Sequence, residues 1–164
     1  MAKKSTSVTN SHSLVSHSEE SQLRRIGRFR FEEIEHTADK AIIAHGATFA
    51  EMLESAAAGM FAQQVDLETV PREKQWSVRA VGDSSEDLLV AWLRELLLLS
   101  EEEEVALCDF RITRFSEWQI EGEVWGGSYS PQVRRTGAAV KAITYHRLGV
   151  LHNEDWQGLV TFDV

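Results

Sequence analysis

From residue 28 onward the apolar positions recur with two different periods. "RFRFEEIEH" (28–36) sets Phe29, Phe31 and Ile34 in partial alternation, the spacing of a half-buried strand. "AIIAHG" (41–46) is a short apolar strand closed by Gly46. The period then lengthens. In "TFAEMLESAAAGMFAQQ", Phe49, Leu53, Ala56, Ala57, Met60 and Phe61 recur at helical spacing, behind a capping-box pair of Thr48 and Glu51. "QWSVRAVGD" (75–83) returns to alternation through Trp76, Val78 and Ala80, a strand with one solvated face. "SSEDLLVAWLRELLLLSEEEE" predicts a second helix, capped by Ser84 or Ser85, with Glu86 and Asp87 at the positive end of its dipole. Leu88, Trp92, Leu96 and Leu89, Leu93, Leu97 give it a broad apolar face, so this helix should be largely buried. "ALCDFRITRFSEWQIEGEVWGG" reads as two strands with a turn near Ser116, and "AAVKAITYHRLGVLHN" as a strand with a turn or bulge at Gly149. "WQGLVTFDV" is a closing strand, and "GGSYSPQVRRTG" before them is irregular, punctuated by Gly and Pro. The order β-β-α-β-α-β-β-β-β is an α+β pattern, with two main helices packed on mostly antiparallel sheet.

Composition adds bounds. Residues 1–26 are Ser-rich with scattered charge and no sustained period, so we expect a disordered tail over 1–27 and one domain over 28–164. Hydrophobic residues make up 43% of the 164-residue chain, enough for a real core. The formal net charge of -9 disfavours strong direct nucleic-acid binding and an anionic membrane surface, and suits a basic partner or metal cations. No apolar run is long enough for a bilayer and no secretory signal is visible, so the expected compartment is the cytoplasm. One cysteine, Cys108, excludes a disulfide framework and a Cys-cluster zinc site, and its apolar context reads as a small buried residue.

Candidate chemistry gathers at three places. "IEHTADKAIIAHG" packs His36, Thr37, Asp39 and Lys40 into one turn between two strands, where Gly, Asn or Pro would serve a plain connection. Lys141 sits inside "AVKAITYH", with Ala139, Ile143 and Tyr145 as same-face neighbours by alternation. At the end of the chain, Asp163 is followed by the α-carboxylate of Val164. Converging carboxylates with few nitrogens or thiolates favour hard divalent cations such as Ca²⁺, Mg²⁺ or Mn²⁺. Each residue also has an ordinary reading. Asp39 alone suits a turn or helix cap, Asp163 a solvated penultimate position, and Lys141 a strand lysine lying along the surface on its stem. His36 and His146 suit structural hydrogen bonds, and Glu101 to Glu104 a solvated helix end. No phosphate loop, zinc helix or nucleophile elbow appears. The residues alone support an acidic α+β domain that can carry a cation site.

Four segments go further. "EHTADKAI", "DLLVAWLRELL", "VKAITYHRLGV" and "WQGLVTFDV" occur in an order and at separations similar to those of the archease family, over about residues 28–164. These are small proteins that act with RtcB-type RNA ligases in tRNA splicing and RNA repair. The resemblance implies that Asp39 and Asp163 are metal ligands and that Val164, the terminal residue, completes the site. Lys141 matches the Lys of the family's Val-Lys-Ala motif. Glu123, in "EGEV", matches a Gly-Glu position, and both are assigned to a cofactor-binding surface. The region "VWGGSYSPQVRRTGAA" departs from the family: it is longer, lacks Asp and His, and has Ala139 where an acidic residue commonly precedes Val-Lys. The implied function is that of a protein cofactor, not a catalyst. The ligase takes GMP from GTP onto its own histidine and joins RNA ends, and the archease promotes guanylylation and multiple turnover through a divalent cation site. A metal-dependent hydrolase using the same carboxylates and a chaperone-like scaffold are the competing readings.

Overall fold

The computed structural model describes residues 14–15, 19–34 and 39–164. In chain order its elements are β1 (Ser21–Ile26), β2 (Phe29–Ile34), β3 (Lys40–Gly46), α1 (Phe49–Ala62), β4 (Lys74–Val81), α2 (Ser85–Glu103), β5 (Val105–Ser116), β6 (Gln119–Ser128), β7 (Ala142–His152) and β8 (Trp156–Asp163), with a 3-10 turn at Leu67–Thr69. The strands form two antiparallel sheets, β1-β2-β3-β8-β7 and β4-β6-β5. This is the α+β arrangement of two helices on antiparallel sheet that the periodicity predicts.

The helix enclosed between the sheets is α1. It packs on β2, β3 and β8 on one side and on β5 on the other, and every residue from Met52 to Ala62 is buried. Its small residues permit this. A Cβ on Gly59 would stand 2.5 Å from Ile42 Cδ1 and 3.1 Å from Phe31 Cγ, so the sheet comes down directly onto the helix backbone there. Burial is more complete on α1 than on α2, whose predicted apolar face is buried at Leu88, Leu89, Trp92, Leu93, Leu96 and Leu97. That helix covers β4 and β7 with one face and leaves Leu98 48% exposed. Indole Nε1 of Trp92, on α2, donates to the Leu53 carbonyl at 3.0 Å and joins the two helices within the core. Caps fall where the sequence places them. Thr48 accepts from the Glu51 N–H at 3.1 Å and Ser84 from the Asp87 N–H at 3.1 Å. The Glu51 carboxylate reaches back to the Ala47 N–H at 2.9 Å.

The N-terminal segment differs from expectation. Residues 21–26 form β1, which lies on β2 across a two-residue turn with Gly27 at φ +56°. Arg24 bonds Glu33 at 2.5 Å across that pair, and Arg147 meets Glu19 through two bonds of 2.5 Å. Leu14 and Val15 pack on Ile34, Ala41, Ile43 and Leu159, the sheet face turned away from α1. Ser-rich composition hid these contacts because they are non-local: a few apolar and charged side chains find partners on strands far along the chain. Two further strand irregularities sit near expected positions. The β5–β6 turn uses Glu117 (φ 40°) and Trp118 (φ 66°), and β7 shifts register between Thr144 and Gly149, with Arg147 at φ 59°.

Candidate functional site

The strand that ends the chain lies inside the five-stranded sheet, between β3 and β7. This placement assembles the candidate site. Lys40 pairs with Phe162, so the next step outward sets Asp39 opposite Asp163. On the other side Ala142 pairs with Asp163, and the Lys141 N–H donates to the Asp163 carbonyl at 2.8 Å. Lys141 therefore stands opposite Val164. Asp39, Lys141, Asp163 and Val164, spread over 126 positions of sequence, converge on one end of three adjacent strands.

Strand alternation divides them between the two faces. Ile42, Val160 and Phe162 face α1 in the main core, while Ala41, Ile43 and Leu159 form the second cluster on the outer face. Asp39 and Asp163 share the outer parity. Thr161, on that same face, is buried with its hydroxyl unpartnered. Val164 takes the α1-side parity. With Lys40, Arg24, Glu33, Gln63 and Thr136 it lines a cavity of about 180 Å³. The atypical segment before β7 builds one wall. It crosses the C-terminal end of α1, where the Thr136 N–H donates to the Gln64 carbonyl at 3.0 Å and the Val140 N–H to Gln64 Oε1 at 2.9 Å. Arg134 pairs with Asp66 at 2.5 Å, and this holds the Asp66 carboxyl below its usual range.

The donors available at the strand end are hard oxygens: two aspartate side chains and the terminal carboxylate. That set fits a divalent cation of the Ca²⁺, Mg²⁺ or Mn²⁺ type and does not fit zinc. Among the described residues no three His, Cys, Asp or Glu side chains gather, so a third protein anion would be the α-carboxylate itself. His36, Thr37 and Ala38 of the opening motif lie outside the described residues. Two exposed lysines, Lys40 and Lys141, stand at the same edge, with the strand parity opposite to that of Asp39 and Asp163. Lys141 lies just before β7. Ile143 is buried while Ala139, Lys141 and Tyr145 are exposed, so the expected same-face set breaks at Ile143. The strand starts only at Ala142 and bulges after Thr144.

Other candidates lie elsewhere. Glu123 is on β6 in the three-stranded sheet, opposite Ser77 and Arg111, and does not join the strand end. Glu101 to Glu104 are exposed at the end of α2, where Glu104 takes the left-handed cap. The exposed His146 bonds Thr144 Oγ1 through its backbone N–H at 3.3 Å. Cys108 is half-buried, and burial, with Asp109 beside it, pushes its thiol up to about 11, which makes it a poor ligand or nucleophile at neutral pH.

The family model described as "Archease protein family (MTH1598/TM1083)" matches residues 31–164, a span that holds all four converging residues. The chain belongs to the archease family. It is 34% identical over 140 residues to "Protein archease" of Methanosarcina mazei, covering 82% of this chain and 96% of that one. It is 31% identical over 127 residues to "Protein archease-like" of Drosophila melanogaster, covering 76% and 81%. Among solved structures, the solution structure of Methanobacterium thermoautotrophicum protein 1598 superposes with a TM-score of 0.72 at 26% identity, over 82% of this chain and 98% of that one. The archease match begins within β2, so β1 and the segment before it lie outside it.

Proposed function

We propose that this archease-family protein is an activator of a GTP-dependent RtcB-type RNA ligase, acting in tRNA splicing and RNA repair, and is not itself the catalyst. The observation that supports the reading is the convergence of Asp39, Asp163 and the Val164 terminus at one open strand end, in a chain whose family match contains all three. These groups would hold a divalent cation, which would supply a mobile positive charge at a protein surface able to approach a partner. The strand pairing sets Asp39 against Asp163, and the backbone bond from Lys141 to the Asp163 carbonyl fixes the last residue of β8. The ammonium of Lys141 is then left exposed beside the terminus, free to meet an anionic group of the partner.

The test is guanylylation of a cognate ligase with GTP, with and without this protein. The expected result is faster guanylylation and more turnovers per ligase, with no nuclease or phosphatase activity from this protein alone. Unchanged ligase kinetics would overturn the reading. Hydrolysis of RNA or phosphate esters by the isolated protein, lost in Asp39→Asn, would favour a metal-dependent hydrolase instead.

A further inference from the structure

A larger cleft lies away from the strand end, where α1 runs beside β5, the edge strand of the three-stranded sheet. Its volume is about 620 Å³, the size of a small-molecule site. Three arginines from separate segments line it: Arg28 in the β1–β2 turn, Arg72 before β4 and Arg111 on β5. Carboxylates are present too, but they are engaged. Glu54, 5% exposed, accepts from Arg28 Nη1 at 2.7 Å and from the Ile112 N–H at 2.7 Å. Asp109 accepts from the Phe110 N–H at 2.9 Å and faces Arg72 at 3.2 Å and Arg28 at 3.7 Å. Glu51 holds the Ala47 N–H at 2.9 Å.

The arginines are not equally engaged. Arg28 lies over the Phe29 ring, 4.5 Å from its centroid, and also donates to the Phe110 carbonyl. Arg72 lies over the Trp125 ring at 4.7 Å. Stacked and ion-paired, these two guanidinium groups are held in fixed planes. A guanidinium has five N–H donors, and a single carboxylate contact leaves most of those of Arg72 unused. Arg111 makes no side-chain hydrogen bond or ion pair among the described residues, although Glu123 stands opposite it in register. The three arginines are balanced by Glu51, Glu54 and Asp109, so the cleft offers unspent guanidinium donors without a net charge, and no unspent buried acceptor. Fixed guanidinium forks match the oxygens of phosphate. The chain's net charge of -9 opposes anions at long range, but that field is screened beyond about 10 Å at ordinary salt.

We infer that this cleft binds a phosphate monoester of nucleotide size, with Arg111 and Arg72 donating to the phosphate oxygens and Trp125 forming part of the wall beside it. The site is separate from the carboxylate strand end and stands or falls independently of the proposed ligase partnership.

The experiment is amide and indole NMR of the full chain, titrated with inorganic phosphate, ribose 5-phosphate and AMP, with adenosine as the uncharged control. Saturable shifts are expected at the Trp125 indole and at residues 109–112, with adenosine inert. Arg111→Gln, which removes no described contact, should weaken binding about tenfold or more, the usual loss for a charged hydrogen bond. Glu123→Gln should strengthen binding, because it removes the carboxylate that stands opposite Arg111 in register. The proposal is overturned if no phosphate probe gives saturable shifts at millimolar concentration, or if adenosine binds as well as AMP. It is also overturned if folded Arg111→Gln binds like wild type, or if the shifts fall on Lys40, Lys141 and Val164 instead.

Discussion

Replacing Asp163 by Asn preserves side-chain shape and removes one negative charge from the candidate cation site. Without a cation the change should stabilise the protein. Side chains directly opposite across antiparallel strands have Cβ atoms about 4.5–5.5 Å apart, so the carboxylates of Asp39 and Asp163 stand roughly 6 Å apart. Two unit charges at that spacing repel by about 0.7 kcal/mol in a water-like dielectric and about 2.8 kcal/mol at an effective dielectric of 20. Asp163 is exposed, which favours the lower figure, so relief of about 1 kcal/mol is expected. For a chain of this size that raises the melting temperature by about 2–4 °C. With cation present the order should reverse in slope. A ligand at one hundred times its dissociation constant adds about 2.7 kcal/mol to wild-type stability, and a tenfold weaker site gains about 1.4 kcal/mol at the same concentration. The assay is thermal unfolding in EDTA and in Ca²⁺ or Mn²⁺, with Glu102→Gln at the exposed end of α2 as a charge control. If Asp163→Asn melts lower than wild type in EDTA, or gains as much from the cation, the two carboxylates do not share a site.

Four further outcomes follow from particular contacts. Lys141→Met should fold normally, since its side chain is exposed, yet lower ligase activation if the ammonium meets the partner; loss of such a desolvated charge partner costs about 2–5 kcal/mol of complex stability, read as guanylylation at limiting and at saturating protein. Deleting residues 1–26 should lower the denaturation midpoint, because it removes β1 and the Arg147–Glu19 pair and uncovers Ile34, Ala41, Ile43 and Leu159; an unchanged midpoint would mean the segment is not bound. Glu54→Ala should destabilise by about 2–4 kcal/mol, somewhat below the usual loss for breaking a buried pair because Arg28 is half exposed, as measured by urea unfolding. Asp66→Asn tests a pH dependence: the folded-state pKa of Asp66 is depressed, so the stability it contributes is present above its unfolded pKa and lost as pH falls through the folded value. Wild type and mutant melts should differ at neutral pH, by under about 1 kcal/mol for so exposed an arginine partner, and converge in strong acid.

Local signals were legible along the chain because they depend on neighbours a few residues away. The caps at Thr48 and Ser84, the alternation of Phe29 and Phe31, and the 3.6-residue recurrence on both helices each report a backbone preference that needs no distant partner. The motif around Asp39 and the acidic pair at the end of the chain could also be singled out, as ionisable groups where plain turns and tails do not need them. Pairing of β8 between β3 and β7 was a matter for the tertiary structure, and it alone brings Asp39 opposite Asp163 and Lys141 opposite Val164. The same holds for the separation of Glu123, whose strand joins the other sheet. Burial of α1 over α2 depended on how closely two sheets approach a helix of small residues, a property of volume and not of hydrophobicity. β1 and the arginine cleft were hidden for a related reason: Arg24 with Glu33, Arg28 with Glu54, and Arg72 with Asp109 and Trp125 are partners only after the chain has folded back on itself. Periodicity records which face of an element is apolar, whereas the identity of the element that covers it is decided by packing across the whole domain.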